Sequence, residues 1–272
     1  MPVAGQLSAR LPADPRVLQI AFLGSFLLFG AASLDFPIWQ APLLIAACVA
    51  TQFSCTRLLK LPSAGYRSPL ITALGLSILL RSDLLWVPPL AGCIGIAGKF
   101  FLRVHGKHVF NPATLGLGAA LLITPHAWCS PSQWGHGLVL AGWFACFGCA
   151  VASRAFRADV SLAFLAAWTL LKAGRVLWLH QRWQVLGHQL ESGSLLLFAF
   201  FMISDPKTTP DRRAGRLLLA AAVAALAFQL QHGLFVQNAL VWSLLLLSPF
   251  TVLLDRALPK ESPCALSSAL SS

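Results

Sequence analysis

Residues 192–205 read SGSLLLFAFFMISD. A serine opens an apolar run that is shorter than the about 20 residues needed to span a bilayer as a helix, and the run closes on Ser204–Asp205. Residues 68–83, SPLITALGLSILLRSD, have the same shape and close on Ser82–Asp83. Each run crosses a membrane only if tilted or extended, or enters from one side as a half-helix. A carboxylate at membrane depth is expensive and marks function by default. The plainer alternative for Asp83 and Asp205 is to cap the following turn or to pair with Arg81 or Lys207 nearby.

The rest of the chain suits such runs. It has 272 residues, 57% hydrophobic and 11% charged, with a mean hydropathy of +0.73; a soluble domain is about 25% charged. Apolar segments fall at 17–33, 36–54, 68–81, 84–98, 109–125, 137–152, 159–172, 193–204, 214–231 and 234–254. The fold expected is therefore an all-α integral membrane protein of about ten transmembrane helices. Pro88 and Pro89 are expected to break or kink the fourth segment. The two Ser-Asp runs are the third and eighth segments, five apart. A weaker echo links FNPATLGLGAALLITP (110–125) with QNALVWSLLLLSPF (237–250), the fifth and tenth. An odd offset gives the copies opposite orientations, so the reading is two inverted five-helix repeats, about 17–125 and 137–255, within a membrane domain of 17–255. Residues 1–16 and 256–272 are the tails.

A net charge of +11 raises the question of nucleic acid. The basic residues lie between apolar runs rather than on one face, so no nucleic acid is expected. With ten crossings, every Lys and Arg except Arg81, Lys172, Arg175 and Arg182 falls on the side of the N-terminus, which places both termini in the cytoplasm. The opening MPVAGQLSARLPADPR is polar and proline-rich, without a cleavable signal pattern. The seven cysteines are scattered and read as free thiols. Cys146 and Cys149 share a helix face, and two thiols do not complete a metal site; no metal is expected. Trp86, Trp128, Trp134, Trp178 and Trp183 lie near segment ends, as in an aromatic belt.

Two polar knots interrupt the apolar sequence. The first is GKFFLRVHGKHVFNPATLG (98–116), the second FFMISDPKTTPDRRAGRLLLA (200–220). Asn111 before Pro112 is pushed out of the helical region and is placed to cap a helix that Pro112 opens. Asp205–Pro206 and Thr209–Pro210 make the second knot a rigid, extended elbow. His105 and His108 flank the first knot, as interfacial groups or as a proton relay.

Taken together, SPLITALGLSILLRSD, AGKFFLRVHGKHVFNPATLGL, SPSQWG (130–135) and FFMISDPKTTPDRRAGRLL resemble one family over about residues 15–255. It contains the D subunit of Rnf electron-transport complexes and the B subunit of the sodium-pumping NADH:quinone oxidoreductase. The resemblance implies ten helices in two inverted halves, similar to urea channels, in a bacterial inner membrane. It also implies a protein that passes electrons through flavin, to or near quinone, beside other membrane redox subunits of an NADH- or ferredoxin-linked complex. Members holding FMN covalently use a threonine in a Ser-Gly-Ala-Thr type motif outside the cytoplasm. The nearest string here, ESGSLLL (191–197), has Ser194 and no such threonine. The expectation is flavin, as riboflavin or FMN, held without a bond. An isoalloxazine edge needs donors, acceptors and positive charge near N1, and Lys99, Asn111, Thr114, Asp205, Thr208 and Thr209 offer them. The alternatives are a small-solute channel on the same frame and a cofactor-less assembly component.

Overall fold

The computed structural model describes residues 14–33, 37–62, 65–104, 106–130 and 158–257. Segment 137–152, His105, Trp134, Cys146, Cys149 and both tails beyond residues 14 and 257 lie outside them. The chain is mostly helical. In order come α1 (Pro15–Ser33), α2 (Gln40–Leu58), α3 (Arg67–Leu79), β1 (Leu80–Ser82), α4 (Val87–Phe101), β2 (Arg103–Val104), β3 (Lys107–His108), α5 (Pro112–Ile123) and β4 (Ala127–Cys129). Then follow α6 (Ala158–Trp178), α7 (Trp183–Leu190), α8 (Gly193–Leu197) with a π-helical turn over Phe198–Met202, α9 (Arg213–His232), α10 (Ala239–Leu247) and α11 (Phe250–Ala257).

The helices α2, α6 and α9 are long and apolar enough to cross a bilayer. Two bent pairs raise that number to five if each is one span: α7 with the α8–π segment, at 52°, and α10 with α11, at 46°. This is the architecture of a membrane protein. The final apolar segment, read as continuous in the sequence, divides at Ser248–Pro249. The prolines of the fourth segment kink nothing: α4 starts at Val87, so Pro88 and Pro89 occupy its first turn, where a missing N–H is not needed.

Neither short run forms a single helix long enough to span. At 1.5 Å per residue α3 is roughly 20 Å long, against a hydrocarbon core of about 30 Å. The strand β1 continues it in extended form and is fully buried. Extended backbone survives at such a place only if its polar groups are met. Here β1 pairs antiparallel with β4, Arg81 opposite Trp128, and Ser130 N–H donates to the Leu79 carbonyl at 2.7 Å. Asp83 does not pair with Arg81; it meets the His126 ring at 3.0 Å instead. Arg81 turns back to donate to the Ser77 carbonyl at 2.9 Å.

The second run is wedged between aromatic rings. Phe22 of α1 stacks on Phe201 at 5.1 Å and Phe164 of α6 packs on Phe198 at 5.1 Å. Residues 197–204 are all buried. Between helices in lipid, close packing rather than water exclusion holds such a run. The π turn adds a residue and ends the helix with the Met202 carbonyl turned toward Asn111, whose Nδ2 donates to it at 3.4 Å.

The first knot is placed by α4 and α5, which cross closely at glycines. A Cβ on Gly95 would collide with the Pro112 carbonyl, and one on Gly116 with the Ala91 carbonyl. That contact sets the start of α5 against α4.

Candidate functional site

Both knots reach one cavity of about 370 Å³, within the roughly 300–1,000 Å³ usual for small-molecule sites. From the first knot, Asn111 stands at φ −64°, ψ 127°, and its Oδ1 accepts from the backbone N–H groups of Ala113 and Thr114 at 3.0 and 3.2 Å. It is the helix cap expected of Asn before Pro. Its Nδ2 reaches across to Asp205 Oδ2 at 3.4 Å. From the second knot, Asp205 Oδ1 accepts the Lys207 N–H at 3.0 Å, and its carbonyl accepts from the N–H groups of Thr208 and Thr209, each at 3.1 Å. The elbow is therefore a tight turn wound on Asp205 rather than an extended segment. The carboxylate takes the Lys207 N–H, as Asp does at turns, and the Asp205 backbone carbonyl takes the other two.

Lys99 approaches from α4. Its Nζ donates to Gln52 Oε1 of α2 at 2.7 Å and to Ser68 Oγ of α3 at 3.0 Å. Gln52 is fully buried, yet its Nε2 has no partner among the described residues, and neither has His108 Nδ1. All four residues line the cavity, with Arg16 and Lys207. Three cations thus face one carboxylate. Burial raises the Asp205 carboxyl above the usual range, opposed by the Lys207 N–H and by Arg16 and Lys99.

His108 is pushed down to about 4, first by burial and then by Lys99 and Arg103. It is neutral at pH 7. Between pH 6.5 and about 4 the unfolded chain takes up a proton that folded His108 refuses, so the fold loses stability as the pH falls through that window. Thermal unfolding of a His108→Gln protein, followed from pH 7 to about pH 4.5, is expected to fall less steeply than that of the parent. Equal slopes would show that His108 makes no such contribution.

Beside the cavity an ionic clasp joins the knots. Lys107 Nζ lies 2.7 Å from Asp211 and 2.8 Å from Asp255, and Asp255 Oδ1 accepts the Asp211 N–H at 2.8 Å. Arg216 adds a pair to Asp159 at 2.6 Å.

A second cavity, of about 510 Å³, occupies the other end of the α8–π segment. Ser192 and Ser194, hydroxyl to hydroxyl at 3.0 Å, lie on its wall, and no threonine among the described residues lines it. Lys172, buried on α6, faces this cavity and is satisfied by Gln231 Oε1 at 2.9 Å, His232 Nε2 at 2.8 Å and the Trp168 ring at 4.6 Å. Leu79 and Met202, one from each Ser-Asp run, line both cavities.

Of the residues singled out in the sequence, Lys99, Asn111 and Asp205 line the cavity. Thr114, Thr208 and Thr209 stand behind them, buried: the first donates to Asn111 Oδ1 at 3.4 Å, the others to the Asp205 carbonyl at 3.3 and 3.1 Å. Gln52, Ser68, His108 and Arg16 were missed as lining residues. For Gln52 a signal was present, a glutamine inside the apolar run APLLIAACVATQF.

Residues 134–262 match the NQR2, RnfD, RnfE family. The family that the motifs resemble is the one matched by this second half, which carries the elbow and the run 192–205. The chain is also 39% identical over 67 residues to RnfD of Stutzerimonas stutzeri, a component of its ion-translocating oxidoreductase complex. The alignment takes in 25% of this chain and 19% of that relative, so it spans about a fifth of the relative's length. The four described cysteines, Cys48, Cys55, Cys93 and Cys129, are free thiols.

Proposed function

We propose that this chain is a membrane component of an ion-translocating oxidoreductase complex and holds flavin, as riboflavin or FMN, without a covalent bond. One observation carries the reading: two knots meet at Asn111 and Asp205, 94 residues apart, on a single cavity that Lys99, Arg16 and Lys207 also line. The family match and the relative from Stutzerimonas stutzeri support the setting. In that setting the protein lies in a bacterial inner membrane with both termini cytoplasmic, as two inverted halves of about ten helices. It takes electrons from a neighbouring redox protein and hands them on toward quinone, coupled to ion movement.

A bound flavin supplies one- and two-electron transfer. The chain's own residues bind and orient it. Asn111 fixes the start of α5 and the position of Asp205. Lys99, held by Gln52 and Ser68, and Arg16 and Lys207 present positive charge, which favours a ring that gains negative charge near N1 on reduction.

Purification in mild detergent tests this. A flavin band near 450 nm that follows the protein through gel filtration and is released by acid is expected. A colourless protein that stays colourless after incubation with riboflavin and with FMN rejects the reading. The two cavities meeting at Leu79 and Met202 favour a second reading, a small-solute channel; solute flux into liposomes by the colourless protein would establish it.

A further inference from the structure

The elbow-side cavity changes character along its wall. One part is apolar and buried, with Leu79, Phe200, Phe201 and Met202. The other is an exposed rim, where Arg16 stands at the start of α1 and Lys207 on the elbow. Lys99 is partly buried and already committed to Gln52 and Ser68. Arg16 and Lys207 are not. Each engages a carboxylate through its backbone N–H alone, Arg16 with Asp14 and Lys207 with Asp205. Neither side chain makes a hydrogen bond or ion pair among the described residues, and Asp14 gives its other oxygen to Arg67 at 2.6 Å. Both cations bear on the same two groups, favouring the ionised Asp205 carboxyl and opposing a proton on His108. Their charges therefore overlap at one rim. With Lys99 they make three cations against one carboxylate on this cavity, an excess of two.

Unmatched positive charge at the mouth of an apolar-walled cleft draws an anion to that mouth. The ligand that suits both parts of the wall is apolar at one end and anionic at the other. We infer, on the basis of the flavin reading above, that Arg16 and Lys207 form a phosphate subsite and that the flavin held here is FMN rather than riboflavin, with its ring inward and its phosphate at the rim. A phosphate monoester carries close to two negative charges at pH 7 and three acceptor oxygens. The Arg16 guanidinium offers it a fork of N–H groups and Lys207 a point charge. Riboflavin ends in a hydroxyl group, which leaves both charges unanswered. The phosphate of a lipid headgroup has the same chemistry, and basic residues at a membrane face commonly meet one.

The test uses the full-length protein in detergent, freed of flavin, and reads binding from quenching of flavin fluorescence. FMN and riboflavin are titrated in turn; they share the ring and differ at the phosphate. FMN is expected to bind about tenfold more tightly, the order of two exposed ion pairs. That preference is expected to shrink toward unity as KCl is raised from about 50 mM to about 500 mM, because screening acts on exposed charges. The double variant Arg16→Gln, Lys207→Gln is expected to cancel the difference between the two ligands. The salt series keeps the native protein, so it decides even if that variant misfolds. Phosphorus analysis of the flavin-free proteins separates the two sources of phosphate. Equal lipid phosphorus in parent and variant leaves the rim to FMN. A fall of about one lipid phosphorus per chain in the variant gives the rim to a headgroup and overturns the FMN assignment. Equal binding of FMN and riboflavin at low salt overturns the phosphate subsite and leaves the flavin reading standing. Binding of neither overturns the flavin reading and the assignment that rests on it.

Discussion

Replacing Asp205 by alanine is expected to strip flavin from the protein and to loosen the elbow. The side chain accepts the Lys207 N–H and the Asn111 amide and is the carboxylate among Arg16, Lys99 and Lys207. Hydrogen bonds to a charged group contribute about 1.5–3 kcal/mol each. Their loss predicts a fall of about tenfold or more in flavin retained per protein, read from absorbance near 450 nm after gel filtration. A fall of several degrees in the unfolding midpoint is expected alongside. Asp205→Asn separates the two effects. An amide oxygen still accepts the Lys207 N–H, so the turn and the midpoint are expected to persist, while the negative charge facing the three cations is gone. An alanine protein that elutes with its full flavin band would remove Asp205 from the site.

The second large effect belongs to a position with no polar chemistry. Gly116→Val is expected to prevent α5 from seating on α4. The added carbon meets the Ala91 carbonyl, which is helix backbone and does not rotate away as a side-chain tip would. Overpacking usually costs about 1–3 kcal/mol, and a clash with backbone lies at or beyond the top of that range. Because α5 carries Asn111 at its start, its displacement also moves the amide that holds Asp205 and Met202. Gly174→Val on α6 is the comparison, since nothing lies within 4 Å of a carbon added there. Gly174→Val is expected to purify as a monodisperse species near the parent's midpoint, and Gly116→Val to aggregate or melt well below it. Matching midpoints for the two proteins would show that the α4–α5 crossing tolerates a wider spacing than its contact implies.

Much of this arrangement was legible residue by residue where the physics is local. Asn before Pro at a segment edge means a cap, and Asn111 caps α5. An apolar run too short to span as one helix leaves the helix early, and here α3 passes into β1 at Leu80 and the π turn ends at Met202. Local reasoning erred where two local rules competed. Pro88 and Pro89 read as a break because the segment's start was misplaced by a few residues; at a first turn the same prolines are compatible with the helix. The elbow read as extended because its prolines were weighed more heavily than Asp205, whose side chain takes the Lys207 N–H and whose carbonyl takes those of Thr208 and Thr209.

Composition and the lengths of apolar runs determined, without coordinates, that this is a helical membrane protein, since each is a property of a stretch of chain and the medium it faces. Its two Ser-Asp runs and two knots were equally visible. Only the tertiary structure decided which polar atoms end up facing each other. Gln52 and Lys99 are 47 residues apart, and Asn111 and Asp205 are 94 apart. Whether an amide at Gln52 is satisfied or left open depends on what α4 brings to it. No local preference encodes that; it is settled when close-packed helices choose their crossings, here at Gly95 and Gly116.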